Sequence, residues 1–183
     1  MTLYYTGRGD GGSSNLIGGP PIAKDDPVFD IIGDMDELNS FIGVAMLYVN
    51  DTAIMRDLTT IQDDIFSISA MLANMRGSTS IEKLRVPETK MLEDEMARLG
   101  KSLPELRKFV LPGGSRPSSY LHVARAIARR VERRLVAFRK VHELDNGMVK
   151  YANRLSSFLF VAALYMNSEE SISEKNPEYG KQR

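Results

Sequence analysis

The sequence has no cysteine, no tryptophan, two histidines and no excess charge of either sign: 24 Lys and Arg face 24 Asp and Glu in 183 residues. Without cysteine there can be no disulfide, thiol nucleophile, iron–sulfur cluster or thiolate zinc site, which fits a cytoplasmic protein. Zero net charge argues against a general nucleic-acid coat, because such proteins need excess cation to displace counterions. The longest apolar run, the nine residues from Phe158 to Met166, falls far short of the roughly 20 needed to cross a membrane. The opening MTLYYTGRGDGG has no apolar core of the kind that marks an export signal. What remains is a chain with 43% apolar and 26% charged residues, able to bury a core and too mixed in charge to be a polyelectrolyte. A single domain is the expectation at this length.

Glycine is concentrated at one end. Gly7, Gly9, Gly11, Gly12, Gly18 and Gly19 lie within the first 19 residues, with Thr6, Ser13, Ser14 and Asn15 among them and Pro20 and Pro21 behind. This segment reads as a loop with a short strand at Leu3–Tyr5. A helical period follows. Asp26 is placed to cap a helix with Pro27 in its first turn. Ile31, Met35, Leu38, Ile42, Ala45 and Val49 then form one stripe. Asp51 can cap a second helix with the stripe Ile54, Leu58, Ile61, Ile65, Ile68 and Leu72. Residues 76–87 read as a connection, and a shorter helix is expected from Pro87 to Leu99 with Gly100 as its stop. Leu111-Pro-Gly-Gly is a turn, and Ser115 can cap a helix carrying Ile127, Val131, Leu135 and Phe138. Met148, Ala152, Leu155, Leu159, Ala162 and Met166 mark the last helix, and the polar tail after Asn167 is expected to fray. The reading is an all-α, antiparallel five-helix bundle with an N-terminal glycine-rich loop. Its parts are a loop at 1–26, the bundle at 27–168 and a tail at 169–183.

Several chemistries can be set aside. A di-iron bundle needs Glu-x-x-His pairs, and no Glu here has His three residues later. His122 and His142 do not make a zinc cluster. Gly100-Lys101-Ser102 resembles the end of a phosphate-binding loop, but the required glycine five residues earlier is Glu95.

Two segments keep chemical interest. Glycines let backbone approach a phosphate, and the hydroxyls beside them can cradle its oxygens; a flexible arm is the plain alternative. The second segment is HVARAIARRVERR. At about 100° per residue, Arg125, Arg129 and Glu132 fall opposite the apolar stripe with His122 at their edge, and Arg130 and Arg134 lie on a flank. This line is either a solvated face with intrahelical Arg129–Glu132–Arg133 pairs, or an anion site, since guanidinium binds phosphate in a fork.

Taken together, the motifs resemble the PduO-type ATP:cob(I)alamin adenosyltransferases. They are Tyr5-Thr6 with Gly9-Asp10-x-Gly12, Lys24-Asp25-Asp26-Pro27, Asp36-Glu37-Leu38-Asn39-Ser40 with Ile42-Gly43, and Ile61-Gln62-x-Asp64-Ile65-Phe66. Phe109-Val110-Leu111-Pro112-Gly113-Gly114, Leu121-His122-Val123-Ala124-Arg125, Arg129-Arg130-x-Glu132-Arg133 and Asn153-Arg154-Leu155-Ser156 continue the match in order. The resemblance implies a ferritin-like bundle, a homotrimer with active sites between subunits, and transfer of the 5′-deoxyadenosyl group of ATP, accompanied by Mg²⁺, to reduced cobalamin. It implies that Thr6, Gly9, Asp10, Gly12, Ser14 and Lys24 form the ATP loop, and that Arg125 and Arg129 lie at the triphosphate. It also implies that Asp36 pairs with Arg125 of the neighbouring subunit, and that Glu132 and Asn153 hold ATP or its Mg²⁺. Phe109 would press on the corrin face and displace the lower axial base, giving a four-coordinate cob(II) that is easier to reduce; an ordinary core aromatic is the alternative there. A cobalamin reductase and an adenosylcobalamin-dependent mutase are the implied partners, with no nucleic acid and no membrane. The scarcity of His and Cys agrees with this chemistry, because cob(I) is itself the nucleophile. Five positions depart from the family pattern: Gly11 replaces a frequent Lys, and Asn15 a Ser or Arg. Ser157 and Phe158 replace Asp and Tyr, and Leu164 replaces Arg. A non-catalytic adenosylcobalamin carrier and an RNA-binding helical protein are the competing functional readings.

Overall fold

The computed structural model describes residues 4–5, 7–75 and 84–179. Five helices make up most of it: α1 (Pro27–Met46), α2 (Thr52–Asn74), α3 (Lys90–Gly100), α4 (Arg116–Phe138) and α5 (Asn146–Glu169). The expected caps are made. Asp26 accepts from the Val28 N–H, Asp51 from those of Ala53 and Ile54, and Ser115 from that of Ser118. Each satisfies a donor that the first helical turn leaves without an intrahelical acceptor.

All residues of the four predicted stripes are buried. Contacts between helices run in antiparallel register. Gln62 Nε2 donates to the Asn39 carbonyl and Ser69 meets Met35, so α2 climbs as α1 descends. Arg130 pairs with Asp34 and Glu37, and Arg134 with Asp30 and Asp34, joining α4 to α1 in the same sense. On α5, Asn153 meets Glu132 and Phe160 meets His122, and the Tyr151 hydroxyl reaches across to Asp64 on α2. α3 packs on α5 and ties to it through Arg154 and Glu93.

Four details differ from expectation. The strands are not at the chain start: Tyr4 and Tyr5 are irregular, and Leu3 lies outside the described residues. A two-stranded antiparallel sheet instead pairs β1 (Ser13–Asn15) with β2 (Pro21–Ala23). It is held to the bundle by the buried Leu16 and by the Ile17 N–H on the Ala73 carbonyl. Helix α3 begins three residues later than predicted. The preceding segment lies without regular structure where Val86 packs so close to Gly147 that a Cβ there would sit 2.8 Å from it. Gly100 is the last helical residue. The described part of the tail does not fray. The Ile172 N–H bonds the Asn167 carbonyl, and the Lys175 carbonyl accepts from Leu111 at 2.7 Å, so the tail folds back over the segment before α4.

Candidate functional site

The Arg-rich helix sorts its arginines as the helical wheel predicts. The flank pair, Arg130 and Arg134, is consumed by the α1 carboxylates. Of the other line, Arg125 and Arg129, with His122, face a cavity of about 590 Å³ between α4, α5 and the segment 106–112; Glu132 and Asn153 lie outside its lining. Lys108, Phe109, His122, Arg125, Arg129 and Ser157 are among the residues lining it. Three cations therefore face this space, and no carboxylate among the described residues lines it. The position where a family carboxylate is usual, Ser157, contributes a hydroxyl.

Arg125 is the most constrained of the three. Its Nε is buried without a hydrogen-bond acceptor, and its guanidinium lies 5.9 Å from the centre of the Phe160 ring. Burial, and then Arg129 beside it, pull Arg125 below the ordinary arginine value. An arginine held this way keeps unused donors, the groups with which a guanidinium binds an anion. His122 is 4% exposed, and neither of its ring nitrogens has a partner. Burial and the adjacent Arg125 charge push it down to about 4, so it is neutral at pH 7. Glu132 accepts from Asn153 Nδ2 at 2.8 Å, an interhelical bond in place of the intrahelical arginine pairs considered above.

Phe109 is 79% exposed at the edge of this cavity, which removes the core-aromatic reading. A second cavity of about 550 Å³ shares part of the segment 106–112, and Leu106, Val110, Leu164 and Ile172 are among the residues lining it. Leu164 lines this cavity together with polar residues that include Glu105 and Glu174.

The glycine loop is a separate site within the chain. Lys24 lies across Gly9, so close that a Cβ at Gly9 would stand 2.8 Å from Nζ. The Lys24 N–H donates to the Gly12 carbonyl at 2.9 Å, and Gly12 has φ +80°, which favours glycine. Asp10 sits in the turn closed by its own N–H on Gly7, and Ser14 lies in β1. Gly9, Asp10, Gly12, Ser14 and Lys24 are therefore gathered together; Thr6 lies outside the described residues. None of them lines the arginine cavity. Nor does Asp36, which is exposed on α1 and makes no ion pair among the described residues.

Sequence reasoning did not single out Asn167 or Asn176. Asn167 is 1% exposed and binds Gly113, Ser115 and Glu174. Its signal was available: a polar residue directly after Met166 on a buried stripe needs polar partners.

The Cobalamin adenosyltransferase family model matches residues 4–166. The corrinoid adenosyltransferase of Bacillus subtilis (strain 168) is 39% identical over 174 residues, covering 93% of this chain and 89% of that protein. The corrinoid adenosyltransferase MMAB of Homo sapiens is 36% identical over 178 residues, covering 93% and 71%. Among solved structures, a variant PduO-type ATP:corrinoid adenosyltransferase from Lactobacillus reuteri, complexed with cobalamin and ATP, superposes with a TM-score of 0.89 at 30% identity, covering 98% of each chain. With the family model spanning most of the sequence and relatives of this similarity along nearly its whole length, the chain belongs to the cobalamin adenosyltransferase family.

Proposed function

We propose that the chain transfers the 5′-deoxyadenosyl group of ATP to cob(I)alamin, giving adenosylcobalamin and triphosphate. The Co(I) electron pair attacks the ribose C5′, the Co–C bond forms as the C5′–O bond breaks, and triphosphate leaves with the bonding pair. The protein needs no nucleophile of its own. Its tasks are to align the two substrates, exclude water and neutralise the leaving group. The observation that carries this reading is the cavity of Lys108, Arg125 and Arg129, which holds three cations and no carboxylate beside the exposed Phe109.

In this reading Arg125 and Arg129 take the triphosphate, and the loop of Gly9, Asp10, Gly12, Ser14 and Lys24, with Thr6, wraps the nucleotide. The separation of that loop from the arginine cavity within one chain supports a homotrimer whose sites form between subunits, Asp36 of one meeting Arg125 of the next. Residues 1–26 serve ATP, 27–168 form the bundle, and 169–183 are a polar C-terminal segment of the same single domain. No cluster of three or more His, Cys, Asp or Glu among the described residues is arranged to hold a metal. Mg²⁺ would come with ATP as its counter-ion, and Glu132, which accepts from Asn153, would be its protein ligand. Phe109 presses on the corrin and favours the four-coordinate cob(II) state. The protein works in the cytoplasm with a cobalamin reductase and supplies a dependent mutase.

The test is spectral. With chemically reduced cobalamin, Mg²⁺ and ATP, the cob(I) spectrum should convert to that of an alkylcobalamin. Folded protein that gives no conversion refutes the assignment, and stoichiometric binding of adenosylcobalamin without turnover would favour the carrier.

A further inference from the structure

An aromatic side chain that is 79% exposed is not held in place by its own packing. Phe109 must be positioned through its backbone, whose hydrogen bonds lead to the tail, while the Gly113 carbonyl just beyond is shared between Asn167 and, at 3.1 Å, Ser118 Oγ of α4. Asn176 Nδ2 donates to the Phe109 carbonyl at 2.8 Å. The Leu111 N–H donates to the Lys175 carbonyl. The segment that carries both anchors is turned back at Asn167. Its Nδ2 donates to the Gly113 carbonyl at 3.0 Å and to Glu174 Oε1 at 2.9 Å, and its Oδ1 accepts from the Ser115 N–H at 2.8 Å. Its backbone carbonyl takes the Ile172 N–H, which turns the tail back. One side chain thus ties the Pro112-Gly113-Gly114 turn, the cap of α4 and the returning tail into a unit. Gly114 shows how tight that unit is: a Cβ there would collide with the Asn167 side-chain amide.

The geometry points to Asn167 as the positioning residue that sets Phe109 over the corrin, with Asn176 as its extension; this rests on the Phe109 role proposed above. Asn167→Asp keeps the acceptor for Ser115 and removes both donors, placing a carboxylate against the Gly113 carbonyl and Glu174. Two measurements test it on the full chain. In the free protein, hydrogen exchange of the Leu111 amide, which donates to the Lys175 carbonyl, should quicken at least tenfold while the centres of α1 and α2 keep their protection. Unchanged exchange at Leu111 overturns the proposal, whatever the corrin chemistry does. In turnover, the ratio of cob(II)-started to cob(I)-started adenosylation should fall at least fivefold, with the KM for ATP within twofold of wild type. Phe109→Ala is the reference. If it lowers the ratio and Asn167→Asp does not, the positioning role is refuted while the Phe109 role stands. If Phe109→Ala leaves the ratio unchanged, the Phe109 role fails and the exchange measurement alone decides whether Asn167 holds the turn. Should Asn167→Asp fail to fold, Asn176→Ala, which removes one exposed side chain's bond to Phe109, is read by the same two measurements and the same outcomes.

Discussion

Replacing Arg125 with Met should make the protein more stable and nearly inactive, and the two effects have one cause. Arg125 Nε is buried without an acceptor, and Arg129 and Lys108 face the same cavity with no carboxylate to offset them. An unsatisfied buried donor costs about 1–3 kcal/mol. The Phe160 ring, 5.9 Å from the guanidinium, returns about 0.5–1 kcal/mol of that as a cation–π contact. The balance is a native-state cost of about 1 kcal/mol in the absence of ligand. Methionine preserves the apolar stem against Phe160 and carries no donor to strand. For 183 residues, relief of about 1 kcal/mol corresponds to a Tm rise of about 2–4 °C. Activity moves the other way, because losing a charge-assisted contact to the leaving group costs about 10²–10³ in kcat. Scanning calorimetry with and without triphosphate, beside the spectral assay, separates the possibilities. Triphosphate at 100 times its Kd should stabilise the wild type by about 2.7 kcal/mol and the variant much less. A variant with lowered Tm and normal turnover would show Arg125 to be a structural arginine and refute this reasoning.

His122 is neutral in the native state and titrates at about 4, against an ordinary value of 6.5, because of burial first and Arg125 second. Between those values the unfolded chain binds the extra proton, so native stability falls as pH drops from 6.5 to 4. Asp57 works in the opposite sense. Burial, then Glu95, push it up from 3.8 to about 6, so the native chain holds the extra proton there and loses stability as pH rises through that range. His122→Gln removes only the first effect, and should gain about 3 kcal/mol on the wild type between pH 7 and pH 4 in denaturant titrations; an equal difference at both pH values would contradict the buried neutral imidazole. Gly114→Ala should cost about 3 kcal/mol or more in the same titration, because its φ of +111° strains any other residue and its Cβ would collide with the Asn167 amide. A loss under 1 kcal/mol would mean the turn yields easily, contrary to its three-way tie.

What was legible in the sequence follows from which interactions have a period. The stripes from Ile31 to Val49 and from Ile54 to Leu72 repeat every three or four residues, and burial obeys that repeat without exception. The same wheel separated Arg125 and Arg129 from Arg130 and Arg134, but only the packing of α4 on α1 supplies Asp30, Asp34 and Glu37 to neutralise the second pair. That difference in partners, invisible on one helix, is what turns two of four similar arginines into candidates for anion binding. The short sheet had no alternating pattern to reveal it; Leu16, buried between β1 and β2, fixes its place by docking on the end of α2. The tail was misread for a related reason. Its residues are polar, and local polarity reads as fraying, whereas its anchors lie far away in sequence: Lys175 to Leu111 and Asn176 to Phe109. Long-range polar ties of this kind carry no periodic signal. They leave a trace only where a polar residue interrupts an apolar stripe, and Asn167, beside Met166 in the last turns of α5, is such an interruption. The residues hardest to read from sequence here are thus the ones that hold the exposed Phe109, because an exposed group gains its position from the backbone beneath it and not from a core of its own.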